Sequence, residues 1–339
     1  MTVPDRTALL FYDGYELKAE PGLGGALYSN GRRLARYLYR SARRRQTHTG
    51  FYTAFLGLRR SLRANGWTVR VNDFALARAN PEYPIGVAGY PSVLDKVRLP
   101  NPLVFGPGDY GSADAAVALA RRDEVRILTQ PCDWAVAFNR PWVGDKGAVL
   151  FAGIDTDAWP DLSSRDKRVD VLVYDKIHWR REERKHTVLE RTLAGLEAAG
   201  LSFRVLRYGY YHISMFRRCL AESRALLFLS QHETQGIAYQ EAMASGVPVL
   251  AWDEGELVDP YLARLAPPGL TVSSVPYFDD RCGMRFRIDH FETVLKAFWA
   301  DRDRFRPRAY VQDQLSLARC GAAYIRLLRQ AGAGSTVQE

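Results

Sequence analysis

Leu227-Phe228-Leu229-Ser230-Gln231-His232-Glu233-Thr234-Gln235-Gly236-Ile237-Ala238-Tyr239-Gln240-Glu241-Ala242-Met243-Ala244-Ser245-Gly246-Val247-Pro248-Val249 is the stretch on which the fold turns. An apolar run breaks into a polar loop, resumes at helical spacing, stops at Ser245-Gly246 and gives way to a second apolar run. This spells strand, loop, helix, turn, strand. A loop in that position lies at the carboxyl end of a parallel strand, where open α/β sheets bind ligands. Gly236 lets the backbone approach a ligand closely. The helix starting near Ile237 turns its free amides and positive dipole end toward the same loop. Glu241, on the early turns, and Glu233, in the loop, bring two carboxylate acceptors within reach of the same site.

Outward from this stretch the alternation continues. Residues 169–174 (VDVLVY) read as a strand, 181–199 as a long helix closed by Gly200, 202–206 as a strand, 214–222 as a helix, 225–230 and 248–252 as strands. In the first half, 8–12 (ALLFY) reads as a buried strand, followed by a long segment to Thr49 where a compact βα unit needs only a few residues. Phe51, Phe55, Leu58 and Leu62 give 51–65 a helical stripe that Gly66 ends. Strands follow at 68–71, 85–89 and 103–105, the last stopped by Gly106-Pro107-Gly108, then a helix at 115–121 and a strand at 125–129. Strands interleaved with helices imply parallel pairing with right-handed crossovers. The polar, turn-rich stretch 159–167 separates two such halves. The fold class expected is α/β, two Rossmann-like domains facing a cleft, with domains at 1–158 and 159–305 and a helical tail at 306–339.

Composition narrows the rest. The 339 residues suit two domains, and 47% apolar with 25% charged residues excludes wholesale disorder. Cys132, Cys219, Cys282 and Cys320 are too far apart for a zinc ligand pair and too few for a disulfide scaffold, so reduced thiols and a cytoplasmic location are expected. The polar start and the short run 8–12 do not make a secretory core, and no stretch approaches the roughly 20 apolar residues that span a bilayer. A net charge of +9 favours acidic partners.

Glu233 and Glu241, with Ala242-Met243-Ala244-Ser245-Gly246-Val247-Pro248-Val249 after them, resemble the paired-glutamate E-x7-E segment of retaining GT-B glycosyltransferases (group 1, family 4-like). The resemblance implies that Glu233 contacts the transferred sugar and Glu241 the ribose, while the loop amides at Thr234, Gln235, Gly236 and Ile237 hold sugar hydroxyls and phosphate. Gln235 departs from the aromatic usual there, and Thr234 from a frequent proline, which leaves the donor sugar open. Thr49-Gly50-Phe51 is similar to the family's glycine-bearing loop near the diphosphate. Residues 154–160 look like the entry to the second domain. Lys176 falls where the family keeps a cation for the leaving diphosphate, with Arg180 and Arg181 beside it. Relatives carry a histidine in a first-domain loop. The loop 106–109 has none, so Asp109 reads either as an acceptor contact or as a turn former, and His48 is a further candidate. A terminal helix crossing back to the first domain is also implied.

By that resemblance the chain moves a sugar, from a UDP- or GDP-linked donor, to a glycan, lipid-linked or small-molecule acceptor. It does so with retention, without a bound metal, and with no cofactor beyond the nucleotide-sugar. Two other readings stand beside it. Asp155-Thr156-Asp157 after the apolar run 148–152 is a D-x-D, the metal-binding mark of GT-A glycosyltransferases; Asp279-Asp280 lacks a clear preceding strand. Arg32, Arg33, Arg36, Arg40, Arg43, Arg44 and Arg45 form a basic stretch, much of it on one helical face, suited to an anionic membrane or to phosphate backbones. No nucleic-acid motif accompanies it, so nucleic acid is not expected, and the stretch reads either as a peripheral membrane contact or as a solvated basic face.

Overall fold

The computed structural model describes residues 2–14, 16–19, 24, 31–32, 34–35, 39 and 50–333. Most of the basic stretch, including Arg33, Arg36, Arg40 and Arg43 to Arg45, lies outside the described residues, as do His48 and Thr49. Contacts divide the chain into two compact units, Met1–Gly153 with Leu317–Glu339, and Ile154–Ser316.

The first unit is built on a six-stranded sheet, β1 Thr7–Asp13, β2 Thr68–Val71, β3 Ile85–Gly89, β4 Leu103–Gly108, β5 Val125–Gln130 and β6 Gly147–Val149, in the order β2-β1-β3-β4-β5-β6. Every pairing is parallel. A sheet covered on both faces needs apolar residues at every position of its central strands. β1 meets that need: Leu9 and Phe11 enter one core, Ala8, Leu10 and Tyr12 the other. Helices Phe74–Arg78, Val93–Val97 and Asp133–Val143, which the apolar periodicity did not reveal, are too short or too mixed to carry a clear stripe.

Helix Leu317–Ala333 belongs to this unit and packs on helix Gly50–Ala64. Gly321 makes the approach possible, since a Cβ there would stand 2.1 Å from the Ser61 carbonyl oxygen. Tyr324 is fully buried against the same sheet.

The second unit holds β7 Val169–Lys176, β8 Phe203–Arg207, β9 Ser223–Ser230, β10 Val249–Trp252 and β11 Gly283–Phe286, ordered β11-β10-β9-β7-β8 and again wholly parallel. The helix expected at 181–199 runs as Arg181–Arg184, a π turn Lys185–Glu190 and Arg191–Ala198. The wider turn seats Val188 and Leu189 in the core while Arg184 lies over the Trp252 ring at 5.7 Å.

The join falls at Gly153–Ile154, ahead of the boundary read after Ala158. Arg308 is the physical reason: its guanidinium donates to the carbonyls of Thr156 at 3.0 Å and Trp159 at 2.6 Å, fastening 156–159 to the second unit. Likewise the tail joins the first unit from Leu317 rather than from 306, because Tyr310, Val311 and Leu315 are buried in the second.

All four cysteines are buried and unpaired. Among the described residues no helix is long and apolar enough to cross a membrane.

Candidate functional site

In the second unit the chain leaves β7 for β8 on one side and returns to β9 on the other. The carboxyl ends of β7 and β9 therefore flank a topological switch point, the place where two crossovers diverge and leave a crevice. Lys176 is the last residue of β7, and Ser230 the last of β9. Lys176 Nζ lies 2.6 and 2.8 Å from the two carboxylate oxygens of Glu233. Ser230 Oγ donates to Glu233 Oε1 at 2.8 Å. The Tyr208 ring, past the end of β8, sits 4.8 Å from the same ammonium. Glu233 is 9% exposed, so the pair is partly withdrawn from water.

The frame around this pair is cross-linked from strand to strand. Gln231 Oε1 accepts from the amides of His178 and Trp179 at 3.1 Å each, and its Nε2 donates to the Trp179 carbonyl at 2.6 Å, tying the loop after β7 to the loop after β9. From the β10 side, the Ser273 carbonyl accepts the Glu233 amide at 2.9 Å, and Asp253 holds Ser273 Oγ at 2.7 Å. Burial, helped by the neighbouring Lys176, holds the His178 imidazole below its usual value.

Helix Ile237–Ala244 follows this loop. Gly236 stands before it with φ +73° and no side-chain cap. A Cβ at that position would stand 2.1 Å from the Tyr239 ring, so only glycine fits. The amides of the first turn have no partner within the helix and are available to an anion. Thr234 and Ile237 are exposed beside them, whereas Gln235 is buried and locked to Gln240 by two bonds of 2.7 Å.

Glu241 sits in a different cluster. Its carboxyl receives the Trp159 indole and faces Arg217, and burial pushes it up to about 8 despite both. Tyr211, whose hydroxyl lies 2.5 Å from that of Tyr174, lies within its field and is pushed up to about 12, by burial first.

Arg181 opens helix Arg181–Arg184. It forks onto both carboxylate oxygens of the buried Asp175 and is committed there. Asp109 is exposed just past β4 and accepts the Gly111 amide at 2.9 Å, a turn-forming bond. Gly50 is the first residue of helix Gly50–Ala64.

The Asp155-Thr156-Asp157 stretch forms a turn. Asp155 Oδ1 accepts the amides of Asp157 and Ala158 at 3.2 and 3.1 Å, so this carboxylate shapes a turn. Among the described residues no group of three or more His, Cys, Asp and Glu side chains is placed to hold a metal ion.

Sequence reasoning missed Ser230, Tyr208, Gln231 and Asp175. Only their positions at or beside strand carboxyl ends could have marked them, and that signal appears once the strand order is known. In the first unit the comparable switch point lies between β1 and β3, where Asp13 pairs with Lys96 at 3.1 Å and Lys18 at 3.3 Å. It too was unmarked.

No family model and no curated protein sequence matches the chain. Solved structures do. A sucrose-phosphate synthase from Thermosynechococcus elongatus superposes with a TM-score of 0.54 at 13% identity, over 97% of this chain and 100% of that one. The lipopolysaccharide outer core galactosyltransferase WaaB, in its apo form, gives 0.48 at 11% identity over 96% and 99%. AviGT4, a glycosyltransferase involved in avilamycin A biosynthesis, gives 0.45 at 13% identity over 85% and 91%. At such identities the first likeness speaks for the fold alone. With two wholly parallel sheets of six and five strands, the chain has the two-domain α/β architecture of the GT-B fold.

Proposed function

We propose that this protein is a glycosyltransferase that moves a sugar from a nucleotide-sugar donor to an acceptor. The observation that carries the reading is the Lys176–Glu233 pair at the β7/β9 switch point, beside the open amino end of helix Ile237–Ala244. A cation and free amides converge where a diphosphate fits, and a carboxylate beside them suits sugar hydroxyls. Negative charge grows on the diphosphate oxygens as the glycosidic bond breaks. Lys176 and the amides therefore act more strongly in the transition state than in the ground state, which raises turnover. Glu233, positioned by Ser230, orients the sugar ring. Glu241 receives the ribose. Arg181 acts at one remove by fixing Asp175 at the end of β7. Retention of configuration, the absence of a metal requirement and a UDP- or GDP-linked donor belong to the same proposal. Asp109 is its acceptor-side group, the acceptor being a glycan, a lipid-linked sugar or a small molecule.

Thermal-shift and calorimetric screens against UDP, GDP, ADP and their sugars test it directly. Glu233→Ala should lower turnover more than it weakens nucleotide binding, and Glu241→Ala should weaken binding. A chain that binds none of these nucleotides, or variants indistinguishable from the parent in both readouts, overturns the assignment. NMR of the product anomer tests retention.

A further inference from the structure

The second unit carries another concavity, at the opposite ends of its strands from Lys176 and Glu233. A cavity of about 620 Å³ opens where β7 and β9 begin, and Trp159, Arg165, Arg168, Arg217, Arg218 and Ser245 are among its walls. Arg168 directly precedes β7, whose eight residues separate it from the site above.

Its charge balance is uneven. Two acidic groups also line it, Asp166 and Glu222. Glu222 is already matched by Arg204 at 2.6 Å and Arg218 at 3.0 Å. Among the described residues, Arg165 and Arg168 join no ion pair, while Arg217 faces the Glu241 carboxyl. Arg217 lies over the Trp159 ring at 4.6 Å, which holds its guanidinium at the wall.

The ordinary reason for cations here is two helix carboxyl ends, those of Ile213–Glu222 and Ile237–Ala244, which carry partial negative charge. Other groups already meet them. Lys167 Nζ donates to the carbonyls of Leu220 and Ala221 at 3.3 Å each, and Arg308 donates to that of Ala244. Arg165 and Arg168 are therefore surplus to the fold, and Arg217 serves the Glu241 carboxyl as well as the wall. Lys167 itself is pushed down to about 8, by burial first and then by Arg165 and Arg224, as befits a region of excess positive charge.

We infer that this cavity is a binding site for a phosphate-bearing anion, held by Arg165, Arg168 and Arg217. Guanidinium forks match phosphate oxygens in pairs, and the volume falls in the range of small-molecule sites, about 300 to 1,000 Å³. The same chemistry admits a soluble phosphate ester or a lipid headgroup. The cavity lies away from the β7/β9 switch point, and although Trp159 and Arg217 also meet Glu241, Arg165 and Arg168 touch no residue of the glycosyltransferase reading, so the test rests on them.

The test is calorimetric titration of the full chain with inorganic pyrophosphate at low salt, on wild type, Lys176→Ala and Arg165→Ala/Arg168→Ala. A parallel arm floats the same proteins on vesicles of phosphatidylglycerol, with phosphatidylcholine as the neutral control. Arg165 and Arg168 are exposed, so the double variant should melt with wild type. Arg165→Gln/Arg168→Gln replaces it should it not. Pyrophosphate affinity is expected to fall at least tenfold in the arginine variant and to persist in Lys176→Ala. Loss confined to vesicle binding also supports the site and names a headgroup as its ligand. Pyrophosphate and vesicle binding both unchanged in the arginine variant overturns it, as does pyrophosphate binding that vanishes in Lys176→Ala alone.

Discussion

Replacing Glu241 with glutamine should stabilise the protein in alkaline solution and change little in acid. Burial is the dominant influence on this carboxyl and takes it from 4.5 to about 8, against the lowering by Arg217 and Trp159. The fold thus prefers the protonated form. Its contribution is whole below the unfolded value and is lost as pH rises through about 8, the reverse of a salt-bridged carboxylate. The rise from 4.5 to about 8, at about 1.36 kcal/mol per unit, sets a ceiling of roughly 5 kcal/mol on what ionisation costs. Glu241 keeps some accessible surface, and water relaxes part of that cost, so about 2 kcal/mol is expected. Glutamine is neutral at every pH and keeps the acceptor for the Trp159 indole. Urea unfolding of both proteins, followed by tryptophan fluorescence, is the assay. Near pH 4 the curves should agree within about 0.5 kcal/mol, and near pH 9 the variant should lead by about 2 kcal/mol. Equal midpoints near pH 9 would show that desolvation does not govern Glu241 and would refute the argument.

Other outcomes follow from the same geometry. Ribose hydroxyls donating to Glu241 favour its ionised form, so nucleotide affinity should rise with pH through about 8, with proton uptake or release read by calorimetry in buffers of different ionisation heat; a pH-independent affinity detaches Glu241 from the nucleotide. Arg181→Ala leaves Asp175, 2% exposed, without its partner and should destabilise by about 3 kcal/mol in thermal unfolding; a change under about 1 kcal/mol contradicts the buried fork. Gly236→Ala meets both a φ of +73° and the Tyr239 ring, and should cost about 2 kcal/mol while weakening nucleotide binding. A neutral Gly236→Ala would mean that the loop is free to move.

Much of this was legible in the chain. Alternating apolar runs and helical stripes determined the α/β class, because a sheet covered on both faces leaves strands such as β1 with an unbroken apolar run from Ala8 to Phe11. The run from Leu227 to Val249 determined the strand–loop–helix–strand that presents Glu233 and Gly236, because its signals are local: a glycine for a positive φ, an apolar period, a stop. Tertiary structure alone decided the rest. That Lys176 meets Glu233 depends on β9 pairing beside β7, a choice made by long-range packing. That Arg181 turns to Asp175, and that Glu241 lies against Trp159 and Arg217, depends on helices from distant segments. Sequence spacing states which groups are near along the chain. Strand order and burial decide which groups share a field, and that sharing sets the charge and the partner of each.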